Sequence, residues 1–228
     1  MALALVLLGA PEQAAVGQGF GAGLTAFQAG DYALAMTQWR PLAEAGDSTA
    51  QYGIGRLYQK GLGVTADPLR AFAWYSKAAE AGHAGAQFSL GTLYDDGIGA
   101  ARDLAQAAAW YRKAADQGLA EAQYNLGFMY GRGEGVEQDD TEAARWFRLA
   151  AEAGNGEAQN ELGVLYAQGR GVIADLVQAY MWFRIAAEGS NERARANLDL
   201  IASSLDADET EEAEMLAQQF RGEMTATP

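Results

Sequence analysis

The nine residues from Ala50 to Tyr58, AQYGIGRLY, decide the fold because they return three more times along the chain at one fixed interval. The later copies are AQFSLGTLY from Ala86, AQYNLGFMY from Ala122 and AQNELGVLY from Ala158, each beginning 36 residues after the one before. A fixed period of this length is typical of repeat proteins, in which each copy buries its apolar side only against its neighbours. We therefore predict a solenoid.

A second stretch, AFAWYSKAA from Ala71, repeats with the same period. Its later copies are AAAWYRKAA from Ala107, AARWFRLAA from Ala143 and AYMWFRIAA from Ala179. In both stretches the constant residues fall at i, i+4, i+7 and i+8, which is one face of an α-helix. Each repeat is therefore predicted to be a pair of helices, and the fold class is all-α.

Aspartates spaced by 36 residues precede the second helices, at Asp31, Asp67, Asp103, Asp139 and Asp175. A carboxylate at such a position accepts hydrogen bonds from the unpaired N–H groups of a helix start, so we predict N-caps. Gln106, Glu142 and Gln178 follow three residues later and predict capping boxes.

Glycines mark the predicted ends of the second helices, at Gly46, Gly82, Gly118 and Gly154, because glycine adopts the left-handed conformation cheaply. In the last repeat the glycine moves to Gly189 and Ser190 takes its place, which predicts a distorted turn. Paired glycines in KGLGV, DGIGA, RGEGV and QGRGV, from Lys60, Asp96, Arg132 and Gln168, predict compact turns between the two helices of each pair.

Glycines also stand inside the first helices, at Gly55, Gly91, Gly127 and Gly163. Glycine costs about 1 kcal/mol relative to alanine there, so we predict close approach of a neighbouring helix. The bulk that fills the space is predicted to come from Trp74, Trp110, Trp146 and Trp182.

The combined pattern A-x-x-L-G-x-x-Y-x-x-G-x-G-V, then W-[YF]-x-x-A-A-x-x-G, resembles the Sel-one-like repeat, a relative of the tetratricopeptide repeat. The resemblance implies a right-handed α/α superhelical solenoid whose first helices line a concave surface. It also implies adaptor roles in complex assembly, envelope signalling and cell-surface interactions. A cysteine-rich branch of the family has disulfide-paired repeats and β-lactamase-like properties, but this sequence contains no cysteine, so those properties are not carried over.

The predicted domain organisation places a signal segment at residues 1–17 before a repeat array at residues 18–200. The array comprises a degenerate copy at about 20–49 and repeats at about 50–85, 86–121, 122–157 and 158–193. A capping helix at residues 201–222 and a tail at 223–228 follow. The capping helix is amphipathic, since Ala213, Leu216, Ala217 and Phe220 follow an acidic run with helical spacing. The alternative for this segment is a docking peptide.

The apolar stretch Met1 to Ala10 has the length of a secretory hydrophobic region and is too short to span a bilayer. A small-x-small cleavage pattern follows at Ala15, Val16 and Gly17, although no Lys or Arg precedes Arg40. We expect a periplasmic or secreted protein without membrane insertion after signal removal. If the segment is not a signal, the protein is cytoplasmic.

Net charge restricts the classes of partner. With a formal charge of −14, the chain is unsuited to a nucleic-acid groove or an anionic membrane surface. The absence of cysteine excludes disulfides and thiolate ligands. We expect a monomer that binds protein partners and uses no metal or cofactor.

Variable repeat positions are the candidates for function, because the constant ones are explained by folding. They form one stripe on the first helices, and within it we predict partner contacts at Arg56, Thr92, Phe128, Arg132 and Val164. Arg and aromatic residues are enriched among interface anchors. The other positions of the stripe are Gly53, Ser89, Asn125, Glu161, Lys60, Asp96 and Gln168. The alternative is an ordinary solvated helix face.

The candidate catalytic residues in the sequence all have structural explanations. His83 is predicted to be a solvated loop histidine, because its repeat position also holds Asp47, Leu119, Asn155 and Asn191. Asp139 and Asp140 are explained as a cap and a turn, no glycine turn ends in GKS or GKT, and no serine lies in a G-x-S-x-G elbow.

The sequence therefore predicts a non-enzymatic scaffold for protein–protein interaction in the cell envelope, with roles in signalling or complex assembly. One alternative is a binder of envelope glycan or peptidoglycan, which requires exposed aromatic rings among Tyr52, Phe88, Tyr124 and Phe128. A second is a β-lactamase-like hydrolase, which requires a pocket with converging titratable groups.

Overall fold

The computed structural model describes residues 10–226, and the side chains of residues 19–223. This part of the chain is all-α and contains no strand, which confirms the predicted fold class. The helices are α1 Ala10–Gln28, α2 Tyr32–Glu44, α3 Ser48–Lys60, α4 Pro68–Glu80, α5 Ala84–Asp96, α6 Leu104–Asp116, α7 Ala120–Arg132, α8 Asp140–Glu152, α9 Gly156–Gln168, α10 Leu176–Glu188, α11 Glu192–Ala202 and α12 Ala207–Ala226. Residues 1–9 of the predicted signal segment lie outside the described residues.

Helices α1–α5 form one compact unit and α6–α12 form a second, with the division between Asp103 and Leu104. Within each unit, helices that follow one another from α1 to α5 and from α6 to α11 pack together, and α12 packs on α10. First helices (α3, α5, α7, α9, with α11 as a trailing copy) alternate with second helices (α4, α6, α8, α10). The predicted helix-pair repeat is thereby confirmed.

Aspartate caps set the starts of the second helices as predicted. The side chains of Asp31, Asp67 and Asp175 each accept a hydrogen bond from the backbone N–H three residues on, and Asp139 accepts from both Thr141 and Glu142. Each of these helices begins at the residue after its aspartate.

The predicted capping boxes at Glu142 and Gln178 are absent. The backbone N–H of Asp139 donates to the carbonyl oxygen of Tyr130 at 3.0 Å, and that of Asp175 donates to Tyr166 at 3.0 Å. Because these bonds close the turn between the two helices, the N–H that a capping box would use is already occupied.

A buried glutamine near the start of each first helix ties it to the end of the second helix before it. Nε2 donates to an alanine carbonyl oxygen at 3.0–3.2 Å in each of the pairs Gln51–Ala43, Gln87–Ala79, Gln123–Ala115 and Gln159–Ala151. The last carbonyls of a helix have no partner within it, so the amide satisfies one of them. In α11 the guanidinium of Arg195 replaces the amide and donates to Ala187 at 3.2 Å.

The mid-helix glycines admit an aromatic ring from the paired helix, as predicted. A Cβ placed on Gly127 would lie 2.8 Å from Cδ1 of Phe147, and one on Gly163 would lie 2.6 Å from Cε1 of Phe183. A Cβ placed on Gly55 would likewise lie 2.6 Å from Cδ1 of Tyr75. No side chain fits at these contacts without displacing the ring.

The prediction that tryptophan fills this space is wrong, because the ring belongs to the residue after the tryptophan. Trp74 and Trp110 are half-buried instead, with Nζ of Lys77 at 4.6 Å and Nζ of Lys113 at 3.7 Å from the respective ring centroids. These tryptophans hold a cation–π contact with the lysine one turn later.

Turns after the second helices use the left-handed conformation at one fixed repeat position. Gly154 has φ of 86° there, and in the last repeat Ser190 takes φ of 69° while Gly189 stays at −73°. The backbone N–H of Ser190 donates to the carbonyl of Ala187, and that of Asn191 donates to Ala186. The N–H groups of Gly154 and Asn155 make the equivalent bonds in the preceding repeat. The predicted distortion is therefore wrong: the turn is retained, and serine carries the conformational strain that glycine avoids.

The last helix, α12, covers a face of α10 that has no counterpart in earlier repeats. Met181 and Ile185 are 6% and 7% exposed, whereas the equivalent residues of α8, Arg145 and Leu149, are exposed. Ala213 and Ala217 of α12 are fully buried. The bounds predicted for the capping helix, residues 201–222, differ from those of α12, which covers Ala207–Ala226, while residue 201 belongs to α11.

Candidate functional site

The predicted contact residues of the first unit are engaged in contacts of their own. The guanidinium of Arg56 lies 5.2 Å from the ring centroid of Phe27 and 5.9 Å from that of Tyr52. The hydroxyl of Thr92 donates to the carbonyl of Phe88 at 3.2 Å. Arg56 is thus engaged by two aromatic rings, and the hydroxyl of Thr92 is engaged by its own helix.

Gly53, another position of the predicted stripe, is buried. A Cβ there would lie 2.8 Å from Cε3 of Trp39. The variable position is thus constrained by packing in the first unit, and the stripe is not a continuous exposed row.

In the second unit the structure brings three predicted residues together. Phe128 and Arg132 of α7 and Val164 of α9 line one cavity of about 220 Å³. Phe147 and Leu165 line it too, and Glu161 and Arg170 contribute charged groups. Arg170 was not among the predicted contacts, because it belongs to a glycine turn that the sequence explains by backbone conformation alone.

Two arginines border this cavity in different ways. Arg132 lies over the ring of Phe128, with Cζ 4.0 Å from the ring centroid. Its Nη1 also forms an ion pair with Oε1 of Glu134 at 3.7 Å. Arg170 is held by Asp140, through Nε to Oδ2 at 3.1 Å and Nη2 to Oδ1 at 2.6 Å. This hydrogen bonding raises the pKa of Arg170, so its charge is permanent.

A second cavity of about 110 Å³ continues from Val164 toward α11. Leu200 lines it and is 75% exposed, at the repeat position that Phe128 holds in α7 and Val164 holds in α9. We call the joined surface the α7–α9–α11 groove, with Phe128, Val164 and Leu200 as its apolar row and Arg132 and Arg170 beside it. Leu200 was not predicted as a contact, although it stands 36 residues after Val164.

The aromatic residues proposed for glycan contact are half-buried. Tyr52 stacks on His83 with ring centroids 4.5 Å apart, and Tyr124 lies 5.8 Å from Phe147. The rings of Tyr52 and Tyr124 thus pack within their own units, and the glycan alternative stays a prediction.

His83 is a helix cap and not the solvated loop residue that the sequence predicts. Its Nδ1 accepts a hydrogen bond from the backbone N–H of Ala86 at 3.1 Å, and the ring is half-buried against Tyr52. Asp47, Asn155 and Asn191 cap the other first helices in the same way, which explains the repeat position. The sequence could have indicated these caps, because every residue at this repeat position except Leu119 has a side chain that can accept a hydrogen bond.

Acid should weaken the His83 cap. Burial lowers the pKa of His83 below its ordinary value, against smaller opposite effects of a backbone hydrogen bond and of Asp47. The folded state therefore prefers neutral imidazole, and this contribution to stability is complete above the unfolded pKa of about 6.5 and is lost as pH falls through the folded pKa. We expect His83→Asn to lose less stability than wild type between about pH 7 and pH 5 in denaturant unfolding. Equal losses in the two proteins would contradict this assignment.

Neither a cluster of metal ligands nor a membrane-spanning helix occurs among the described residues. Among the side chains of residues 19–223, no three from His, Asp or Glu are placed to hold a metal ion. No helix in this range is long and apolar enough to cross a membrane.

Comparison with known proteins places the repeats in a family. The Sel1 repeat model matches residues 48–83, 84–119, 120–155 and 156–191, each containing one helix pair. A Sel1 repeat protein from Oxalobacter formigenes is 36% identical, with a TM-score of 0.77 over 86% of this chain and 83% of that one. No curated protein matches significantly.

Two further solved structures are similar. A protective antigen of uropathogenic Escherichia coli with an SLR fold is 34% identical, with a TM-score of 0.56 over 83% of this chain and 48% of that one. A putative Sel1 repeat protein from Klebsiella pneumoniae is 24% identical, with a TM-score of 0.53 over 84% and 95%, and supports the fold alone.

Proposed function

Because the chain belongs to the Sel1 repeat family, we propose that it is a non-enzymatic scaffold that holds another protein in the α7–α9–α11 groove. Sel1 repeat proteins are generally protein-interaction scaffolds. The observation that carries the proposal is the apolar row of Phe128, Val164 and Leu200, which lies on three successive first helices of one unit.

Packing accounts for only part of this row: Phe128 and Val164 contact core clusters of the unit but keep one side open to the cavity. At the neighbouring constant positions Leu126 and Leu162 are fully buried, whereas Phe128 and Val164 are only half-buried and Leu200 is 75% exposed. When a partner covers an apolar side chain that was in water, the complex is stabilised by about 25 cal/mol per Å² of apolar area buried. The row is suited to an apolar segment of a partner.

We propose further that the protein acts in the cell envelope, exported by residues 1–17, where it supports signalling or complex assembly. The support is the apolar stretch Met1 to Ala10 with its cleavage pattern, and the similarity to a protein described as a protective antigen. Fractionation of cells that express the full chain or a chain without residues 1–17 tests this. Recovery of both in the cytoplasm would overturn export.

Crosslinking followed by capture from the native source tests the binding role. We expect Phe128→Ala and Arg132→Glu to lower recovery of the crosslinked partner at least about fivefold, because both residues border the groove. Arg145→Glu is the matched control, since Arg145 is an exposed arginine on α8 that does not line the groove. Equal recovery with all three variants, each folded by circular dichroism, would refute the groove as the binding site.

A further inference from the structure

We propose that the groove selects a partner segment with one Asp or Glu side chain beside apolar side chains. This inference rests on the proposed function and adds the chemistry of the partner. It follows from the two arginines that lie beside the apolar row, Arg132 and Arg170.

Arg170 is oriented in advance. Asp140 holds its Nε and Nη2, and no described residue accepts a hydrogen bond from its Nη1, which leaves two N–H groups for another acceptor. A guanidinium fixed by one carboxylate loses little side-chain freedom when it binds a second one.

Arg132 supplies an adjustable cation on the same cavity. Its side chain is 61% exposed, and its ion pair with Glu134 is long, at 3.7 Å. Stacking over Phe128 at 4.0 Å joins the cation to the apolar row, so a ligand that contacts the ring also lies near the charge. Exposed pairs of this kind are weak, so a better-placed carboxylate can replace Glu134.

The third charged group of the cavity does not oppose this assignment. Glu161 has Nη1 of Arg193 at 3.5 Å and accepts from Nδ2 of Asn160 at 3.3 Å. Its charge is partly offset by Arg193, which also binds Glu157, and the two arginines outnumber this one carboxylate at the cavity.

Geometry favours a side-chain carboxylate over a chain terminus. Phe128 and Arg132 are one helical turn apart on α7, so the cations lie to the side of a backbone that follows Phe128, Val164 and Leu200. A carboxylate must branch sideways from such a backbone to reach them. The net charge of −14 repels a long acidic run, which argues for a single acidic residue.

Selection from a phage-displayed random-peptide library on the immobilised full chain tests the proposal. We expect enriched peptides to share one Asp or Glu next to apolar residues. Binding of these peptides should fall at least about tenfold with Arg132→Glu and with Leu200→Asp, and stay unchanged with Arg145→Glu. A repeated selection on Arg132→Glu should replace the acidic residue with Lys or Arg, which loss of structure could not produce.

Each other outcome counts against the inference. Peptides that need Leu200 but lack an acidic residue would overturn it while leaving the binding role of the groove intact. Enriched peptides that bind Leu200→Asp as well as wild type would overturn it too, and so would the absence of any enrichment. In either case the crosslinking experiment tests the proposed function independently.

Discussion

Replacing Gly127 with leucine is expected to lower the free energy of unfolding by about 3 kcal/mol or more. Even a Cβ at this position would lie 2.8 Å from the ring of Phe147, so the longer side chain must push α8 away from α7. The ring cannot yield, because Phe147 is only 4% exposed and belongs to the core of the second unit. Chemical denaturation monitored by circular dichroism measures the change.

Gly131→Ala is the matched control on the same helix. A Cβ on Gly131 meets only the Cβ of Ala143, at 3.7 Å, which is ordinary contact. Since alanine favours a helix over glycine by about 1 kcal/mol, this variant should be as stable as wild type or more so. Phe147→Leu should make Gly127→Ala less costly than it is alone, since the two residues are in contact. If Gly127→Leu unfolds like wild type, the close approach is not what holds the pair together.

The fold could be predicted almost entirely from one period. Constant aspartates, glycines and alanines describe a helix pair without tertiary information, because caps, left-handed turns and small-residue contacts are local consequences of residue type. The aspartate caps and the glycine contacts were therefore confirmed where the structure describes them.

The wrong assignment of the contact ring to tryptophan arose because two adjacent aromatic residues repeat with the same period. Trp146 and Phe147 are both aromatic and adjacent, and periodicity does not decide which one faces the paired helix, since a second helix has several neighbours. The capping boxes failed for a different reason: the N–H of Asp139 already donates to the carbonyl of Tyr130, across the turn that joins α7 to α8.

The candidate site was predictable only in part. Phe128, Arg132 and Val164 follow from variation between repeats, and the structure places them on one cavity. Arg56 follows from the same variation, but its contact with Phe27 does not, because Phe27 lies in the degenerate first copy, where the period is least visible.

A repeated pair of arginine and tyrosine also escaped the sequence analysis. Arg112 donates to the hydroxyl of Tyr130, and Arg148 donates to that of Tyr166 at 2.6 Å. Each pair joins a second helix to the end of the next first helix. At the last copy alanine stands where tyrosine is due, at Ala202, and Arg184 turns to Glu214 of α12 at 3.0 Å.

Helix α12 therefore completes polar as well as apolar contacts of α10. Glu214 also accepts from the hydroxyl of Tyr180 at 3.2 Å, and Phe220 packs edge-on against Trp182 with centroids 5.0 Å apart. Residue type on α10 agrees with this arrangement, because Met181 and Ile185 replace residues that are exposed in α8. The apolar face and the helix that covers it depend on each other.

Removal of residues 207–228 is expected to make the protein aggregate, because Met181 and Ile185 would become exposed together with Trp182. Met181→Arg with Ile185→Lys should rescue the shortened chain, since these substitutions copy Arg145 of α8 and Lys113 of α6, which are exposed in helices that fold. In the full chain the same double substitution should release α12, at a cost of about 3 kcal/mol or more for two lost apolar contacts. Light scattering measures the aggregation, and hydrogen exchange of the α12 amides measures the release. A shortened wild-type chain that stays monomeric, or a double variant whose α12 remains protected, would show that the 181/185 face does not hold the helix.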